Sequence, residues 1–341
     1  MAVVALQARS AEFRALTSSL ADWAAQIQPM LVLLRPTDIE SAAPVVAELY
    51  RRGVVPLVDS SLHTGRSPLR NVPGTFAALA DELLRPTPWT QADPADDSAA
   101  FCPVLRLESS VREVVWAKQW LAERGTRVAV RLAPQRPLAH QRVLELATAL
   151  GLRATALHII LDCGYVAEHE LAEWRAVRRA AVGLLGSLRP ERATILASAI
   201  PVARDRLGCR AELPRRERDL WLEVRSACPQ LPVEYGDHGV VAMPDGPPGP
   251  GGRTPHPYLY YTGRVSYLFL RRRATGTAPG RYAEAFHELV KDLLATDAAR
   301  PAEFSWGDRE LRRRYTGSST EWIAFATSHH LSQVAHETRA A

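Results

Sequence analysis

The chain has 341 residues, 47% of them hydrophobic and 23% charged, with a net charge of +5. That balance belongs to a globular protein with a substantial core and excludes a disordered, collagen-like or membrane-spanning chain, since no window approaches the roughly 18 continuous apolar residues that a span requires. Four scattered cysteines, Cys102, Cys163, Cys209 and Cys228, form no CxxC pair, which excludes a zinc ribbon and the dense disulfide framework of a small secreted domain and points to a reducing cytoplasm.

The amino terminus, MAVVALQARSAEFRAL, has an apolar start too short for a signal sequence and no basic flank before it. From Ser10 to Gln26, Phe13, Leu16, Leu20 and Trp23 recur at helical spacing and predict an amphipathic helix within an N-terminal segment, 1–27. Met30 to Leu34 is a short apolar run stopped by Arg35, and Thr37 and Asp38 are placed to cap the next helix, which Gly53 ends. Val54 to Val58 is a second strand with Asp59 at its end, which completes one βαβ unit. A helix around Phe76 to Leu84 follows, then an exposed loop at 86–97 rich in proline and acid.

Cys102 to Leu105, ending in Arg106, and Val128 to Val130, ending in Arg131, flank a helix over Ser110 to Arg124. After a helix over Ala139 to Leu150 comes Ala156 to Leu161, too apolar for a strand with one wet face and suited to one buried on both. Asp162 stands at its carboxyl end, where Gly164 lets the backbone turn. Then come a helix over Glu168 to Leu188, a strand over Thr194 to Ala197 before Ser198, a helix over Pro214 to Ala227, and a strand over Pro232 to Tyr235 before Gly236 and Asp237. A second exposed loop spans 244–257. Tyr258 to Tyr261 and Ser266 to Leu270 read as a hairpin, one strand of which is available to close a barrel. The C-terminal segment, 274–341, is helical, with Trp322 to Ala326 either a last strand or the first turn of the final helix.

Seven strands separated by helices favour one α/β domain over 1–341, a TIM-like (β/α)8 barrel with C-terminal additions. Such a fold gathers the strand carboxyl ends on one face, where ligands bind. The residues there are Arg35, Asp59, Arg106, Arg131, Asp162, Ser198 and Asp237, with Tyr235 just before the last and His238 just after. Buried charges must pair, face water or hold a ligand. Arg35, Arg106 and Arg131 suit the phosphate of a nucleotide or nucleic-acid end, with Ser198 and Tyr235 as further ligand contacts. Asp59, Asp162, Asp237 and His238 are the candidates for catalysis, the three aspartates also for Mg²⁺ in phosphoester hydrolysis. A mouth sealed by mutual Arg–Asp pairs favours instead a non-catalytic sensor or adaptor that docks an effector protein through exposed loops carrying residues such as Trp89. No HExxH, Walker A, GxSxG or dinucleotide fingerprint is present.

Several short words occur in order: Val58-Asp59, Pro103 to Arg106, Val130-Arg131, Leu161 to Gly164, Ala197 to Pro201, Tyr235 to Gly239, Phe304-Ser305-x-Gly307-Asp308, and Trp322 with Ser328-His329-His330. In these the chain resembles the beta protein family of bacteria and phages, named after a tailed-phage protein. The family pattern has tyrosine at the position of His238 and asparagine at that of Ser328. The resemblance implies a setting beside mobile-element or anti-phage genes, hence a phage-defence role, and supplies no reaction.

Overall fold

A computed structural model describes residues 1–35, 37–60, 74–84, 101–242, 256–275, 280–313 and 317–340. Its centre is a closed barrel of eight parallel strands: β1 (Ala2–Gln7), β2 (Ile27–Val32), β3 (Leu57–Asp59), β4 (Cys102–Arg106), β5 (Ala129–Leu132), β6 (His158–Tyr165), β7 (Arg192–Ser198) and β9 (Val233–Asp237). Helices α1 (Ser10–Ser18), α3 (Thr37–Arg51), α4 (Thr75–Leu84), α5 (Val111–Arg124), α6 (Ala139–Leu150), α7 (Leu171–Leu188) and α8 (Arg216–Ala227) lie in the crossovers, and a short α2 (Leu20–Trp23) follows α1. The TIM-like fold expected from the strand–helix alternation is the fold observed.

Barrel closure departs from the sequence reading. The closing strand is β1, which pairs with β2 on one side and β9 on the other. All six of its residues are buried, so the apolar amino terminus is a core strand rather than the start of a helical segment over 1–27. The hairpin, β10 (Tyr258–Thr262) and β11 (Ser266–Arg271), takes no part in the barrel. It pairs antiparallel with β8 (Arg210–Pro214) in a separate three-stranded sheet. β8 carries little apolar character, and its alternate exposed residues hid it from a search for hydrophobic runs. The two expected exposed loops, 86–97 and nearly all of 244–257, lie outside the described residues, as does Trp89.

Alternation along each strand divides the core in two. Ala2, Val4, Ile27, Leu31, Val58, Leu105, Val130, Leu161 and Ile195 face the surrounding helices, while Val3, Ala5, Met30, Val32, Leu57, Val104, Ala129, Ile160 and Leu196 fill the interior. At the amino-terminal end the interior is plugged by Arg192, which donates to Glu234 Oε2 at 2.8 Å and Gln28 Oε1 at 2.6 Å. Gly236 lies where a Cβ would come within 2.6 Å of Thr194 Cγ2, so no larger residue fits between β7 and β9.

Trp322 opens the first turns of the final helix, α11 (Ser319–Ala340), and is not part of a strand. This helix is buried over most of Trp322 to Ala335 because it packs against α1, α2 and β10 at once. α9 (Arg281–Leu294) and α10 (Trp306–Arg312) complete the second, smaller core around Tyr261, Phe286, Trp322 and Phe325.

Candidate functional site

At the carboxyl end of the barrel, the interior-facing positions of β3, β4, β5 and β6 place Asp59, Arg106, Arg131 and Asp162 in one hydrogen-bonded chain. Arg131 is its hub. Nη1 donates to Asp59 Oδ2 at 2.6 Å, while Nε and Nη2 donate to Asp162 Oδ2 at 3.0 and 2.7 Å. Arg106 Nη2 reaches the same Asp59 oxygen at 3.0 Å. The Arg131 side chain is fully enclosed, 0% exposed. Burial opposes its charge, but the adjoining Asp162 and Asp59 carboxylates outweigh burial and hold it above the ordinary arginine range. Arg131 is therefore a cross-brace of the mouth.

The other expected participants divide. His238 faces the interior; its side chain is 4% exposed, with Nε2 at 3.5 Å from Asp162 Oδ1. Asp162 Oδ1 also accepts from Gly164 N at 3.1 Å, in a turn that Gly164 enters at φ +68. Ser198, at the end of β7, is buried and accepts from Ile200 N at 3.2 Å. Arg35 does not join the cluster: its Nε pairs with Asp38 Oδ1 at 3.1 Å, where the Asp38 carboxylate receives the backbone N–H groups of Leu34 and Arg35 before α3.

Asp237 and Tyr235 point the other way. In β9 they share the outward parity of Val233, so Tyr235 meets Trp221 of α8 edge to face with ring centres 5.6 Å apart, and its hydroxyl donates to Asp237 Oδ2 at 2.6 Å. Asp237 is closed off further by Gly239 N at 2.9 Å and His330 Nε2 at 3.0 Å. Burial would raise its carboxyl, but His330 and the Tyr235 hydrogen bond prevail and hold it down to about 2. One step of strand register separates Asp237, outside, from His238, inside. The three aspartates proposed for Mg²⁺ therefore do not converge. Among the described residues no group of three or more His, Cys, Asp or Glu side chains is arranged to hold a metal.

The carboxyl-terminal words are structural anchors. Gly307 sits where a Cβ would lie 2.1 Å from Phe325 O, and its N–H donates to Ser328 Oγ at 3.0 Å. Asp308 accepts from Tyr261 OH at 2.5 Å and Ser305 Oγ at 2.6 Å, and bonds His329 Nδ1 at 2.8 Å. His329 Nε2 reaches Thr262 O at 2.9 Å, and His330 Nδ1 reaches Thr262 Oγ1 at 2.9 Å. The adjacent histidines thus join α11 to β10 and β9, one through Asp308 and the other through Asp237.

Beside the Arg131 brace opens a cleft of about 970 Å³, with Asp162, Tyr165, Ser198 and His238 among its lining side chains. Two further residues, which the sequence reading passed over, line it as well: Arg206, in the short helical turn Arg204–Leu207, and Arg216, the first residue of α8. Among the described residues neither makes an ion pair. The Arg216 guanidinium stacks over Trp174 at 4.4 Å, and its buried Nε has no hydrogen-bond partner among those residues. On the acidic side of the cleft, Tyr165 OH donates to Glu168 Oε1 at 3.3 Å; burial, then the Glu168 charge, pushes the phenol up to about 12. No strand-end pattern marks Arg206 and Arg216, because both lie in the excursion between β7 and β9.

Among solved structures, the chain is similar to the 3-dehydroquinate dehydratase of Aquifex aeolicus, at 12% identity over 73% of this chain and 93% of that one, with a TM-score of 0.39. A likeness of that size carries no argument about activity. A comparison with curated proteins finds no match. The ordered words from Val58-Asp59 to Ser328-His329-His330 are accounted for by a family model, Beta protein, that matches residues 3–336, and the chain belongs to the beta protein family.

Proposed function

We propose that the cleft over β6, β7 and β9 binds a phosphate-bearing ligand, a nucleotide or a nucleic-acid end, in a cytoplasmic protein that serves in defence against phage. The carrying observation is the pair Arg206 and Arg216, two arginines that line the cleft and make no ion pair among the described residues. Arg106 and Arg131 are committed to Asp59 and Asp162 and act in this reading as scaffold. Arg216, preoriented by its stack on Trp174, keeps the edge of its guanidinium for two parallel hydrogen bonds to phosphate oxygens. His238 and Ser198 line the same cleft. Phage defence rests on the family resemblance alone.

The test is calorimetric titration of the full chain with inorganic phosphate, a nucleoside 5′-monophosphate and a 5′-phosphorylated oligonucleotide. At least one should bind, and Arg206→Ala and Arg216→Ala should each weaken it about tenfold or more, the loss of a charge-assisted hydrogen bond. The same variants should lose protection in a phage-plating assay. Unchanged affinity in both variants would refute the assignment.

A second reading has a specific observation in its favour. The sealed Asp59–Arg131–Asp162 bridge is what a non-catalytic sensor or adaptor docking an effector protein would carry as a structural plug. Failure of all three probes to bind the folded protein selects that reading.

A further inference from the structure

Building on the assignment of the cleft to a phosphate-bearing ligand, we propose that Ser198 is a nucleophile, His238 its general base and Asp162 the residue that orients His238, so that the cleft hydrolyses phosphoesters. The placement follows from strand register. Ala197 of β7 pairs with Asp237 of β9, and Asp237 faces outward, so the next residues along these strands, Ser198 and His238, are inward-facing neighbours. Adjacent strands lie about 4.8 Å apart, which puts the hydroxyl and the imidazole within reach of each other by a change of side-chain rotamer. Both residues line the cleft.

Their hydrogen bonding leaves the required valences open. Ser198 Oγ accepts a hydrogen bond from Ile200 N, and its own O–H is donated to no acceptor among the described residues. His238 is buried with Nδ1 unpartnered among the described residues, while Nε2 faces the Asp162 carboxylate. That carboxylate is held by two bonds from Arg131 and one from Gly164 N; in the proposed mechanism it is the partner of a proton on Nε2, which leaves the Nδ1 lone pair for the base role. Nδ1 is the ring nitrogen nearer the backbone. The alternative nucleophile, Cys163, also lines the cleft, but its side chain packs into the core outside the barrel. Burial, then the Asp162 charge, pushes its thiol up, so it stays protonated.

In the reaction the Ser198 Oγ–P bond forms as the P–O bond to the leaving alcohol breaks. The serine proton passes to His238 Nδ1 and then to the departing alkoxide. A water molecule next attacks the phosphoserine and gives a proton to Nδ1. The Oγ–P bond breaks, and Ser198 recovers the proton. The sum is phosphoester plus water to alcohol plus phosphate, with no change in oxidation state. Arg206 and Arg216 neutralise the non-bridging oxygens throughout.

The experiment treats the full chain with a biotinylated fluorophosphonate, which labels activated serines by loss of fluoride, and follows bis(4-nitrophenyl) phosphate hydrolysis in parallel. The expected result is a single adduct on the peptide containing Ser198, absent in Ser198→Ala. His238→Gln, which keeps an amide donor toward Asp162 and has no base, should label at least about 100-fold more slowly, within the range of general-base effects. An unlabelled Ser198, or equal rates in His238→Gln, overturns the proposal. Where that variant melts below wild type, the site of labelling in the wild-type chain decides, and an adduct anywhere other than Ser198 overturns the proposal. Loss of phosphate binding in Arg206→Ala and Arg216→Ala concerns the underlying assignment, and retention of binding in unlabelled wild type sinks only the nucleophile.

Discussion

Glu12 shows how a single buried carboxyl sets a pH dependence. It lies in the first turn of α1 with one oxygen, Oε2, lacking a partner. Burial raises its carboxyl to about 7, more than its own backbone hydrogen bond and the Arg9 charge lower it. The folded pKa lies above the unfolded one, so its neutral form favours the fold. That contribution is fully present below the unfolded value, near 4.5, and is lost as pH rises through about 7. Replacing Glu12 with Gln should therefore stabilise the protein by about 3 kcal/mol at about pH 8 and by almost nothing at about pH 4. Urea denaturation at both pH values measures this, and equal effects at the two would show that the acid titrates normally. Arg131 illustrates the reverse economy, because a guanidinium between two carboxylates is tolerable in an enclosed site where any one of the three alone would be costly.

At the scale of elements, α10 and α11 approach each other closely in the molecule's second core. Gly307 permits it: a methyl group there would meet Phe325 O at 2.1 Å. Backbone oxygen does not yield as a flexible side chain does, so Gly307→Ala should destabilise by about 3 kcal/mol, the upper range for overpacking. An unshifted denaturation midpoint would contradict the close approach. The words around it were legible in sequence as a cluster, Phe304 to Asp308 with Ser328 to His330, but not as a joint. Adjacent histidines on a helix diverge by about 100°, and the structure uses the divergence: His329 reaches Asp308 while His330 reaches Asp237. Helix signals of the simplest kind survived intact, as in α5, where Ser110 and Glu113 cap each other and Gly125 ends the helix at φ +62.

For the whole molecule, closure depends on the first strand. β1 fills the gap between β2 and β9, with six register partners on β2. A chain starting at Ala8 leaves two open parallel edges and exposes the interior apolar layer, and it should lose cooperative unfolding and near-ultraviolet circular dichroism. A cooperative transition with an undiminished midpoint in that truncation would mean that the barrel closes some other way. The fold class alone does not fix an activity, which is why the cleft, and not the barrel, bears the functional argument.

By itself the sequence determined the alternation of apolar runs and amphipathic helices, and with it the parallel barrel and the strand ends at Asp59, Arg106, Arg131 and Asp162. These are local properties, written in periods of two and 3.6 residues. Which faces those residues present, and to whom, is non-local. Parity across β7 and β9 turned Asp237 outward and His238 inward, pairing committed Arg131 to Asp59 and Asp162, and the excursion between β7 and β9 carried Arg206 and Arg216 to the cleft. Only chain closure brings such residues together, because hydrogen-bond register between distant strands is fixed by the folded sheet and not by any stretch of sequence within it.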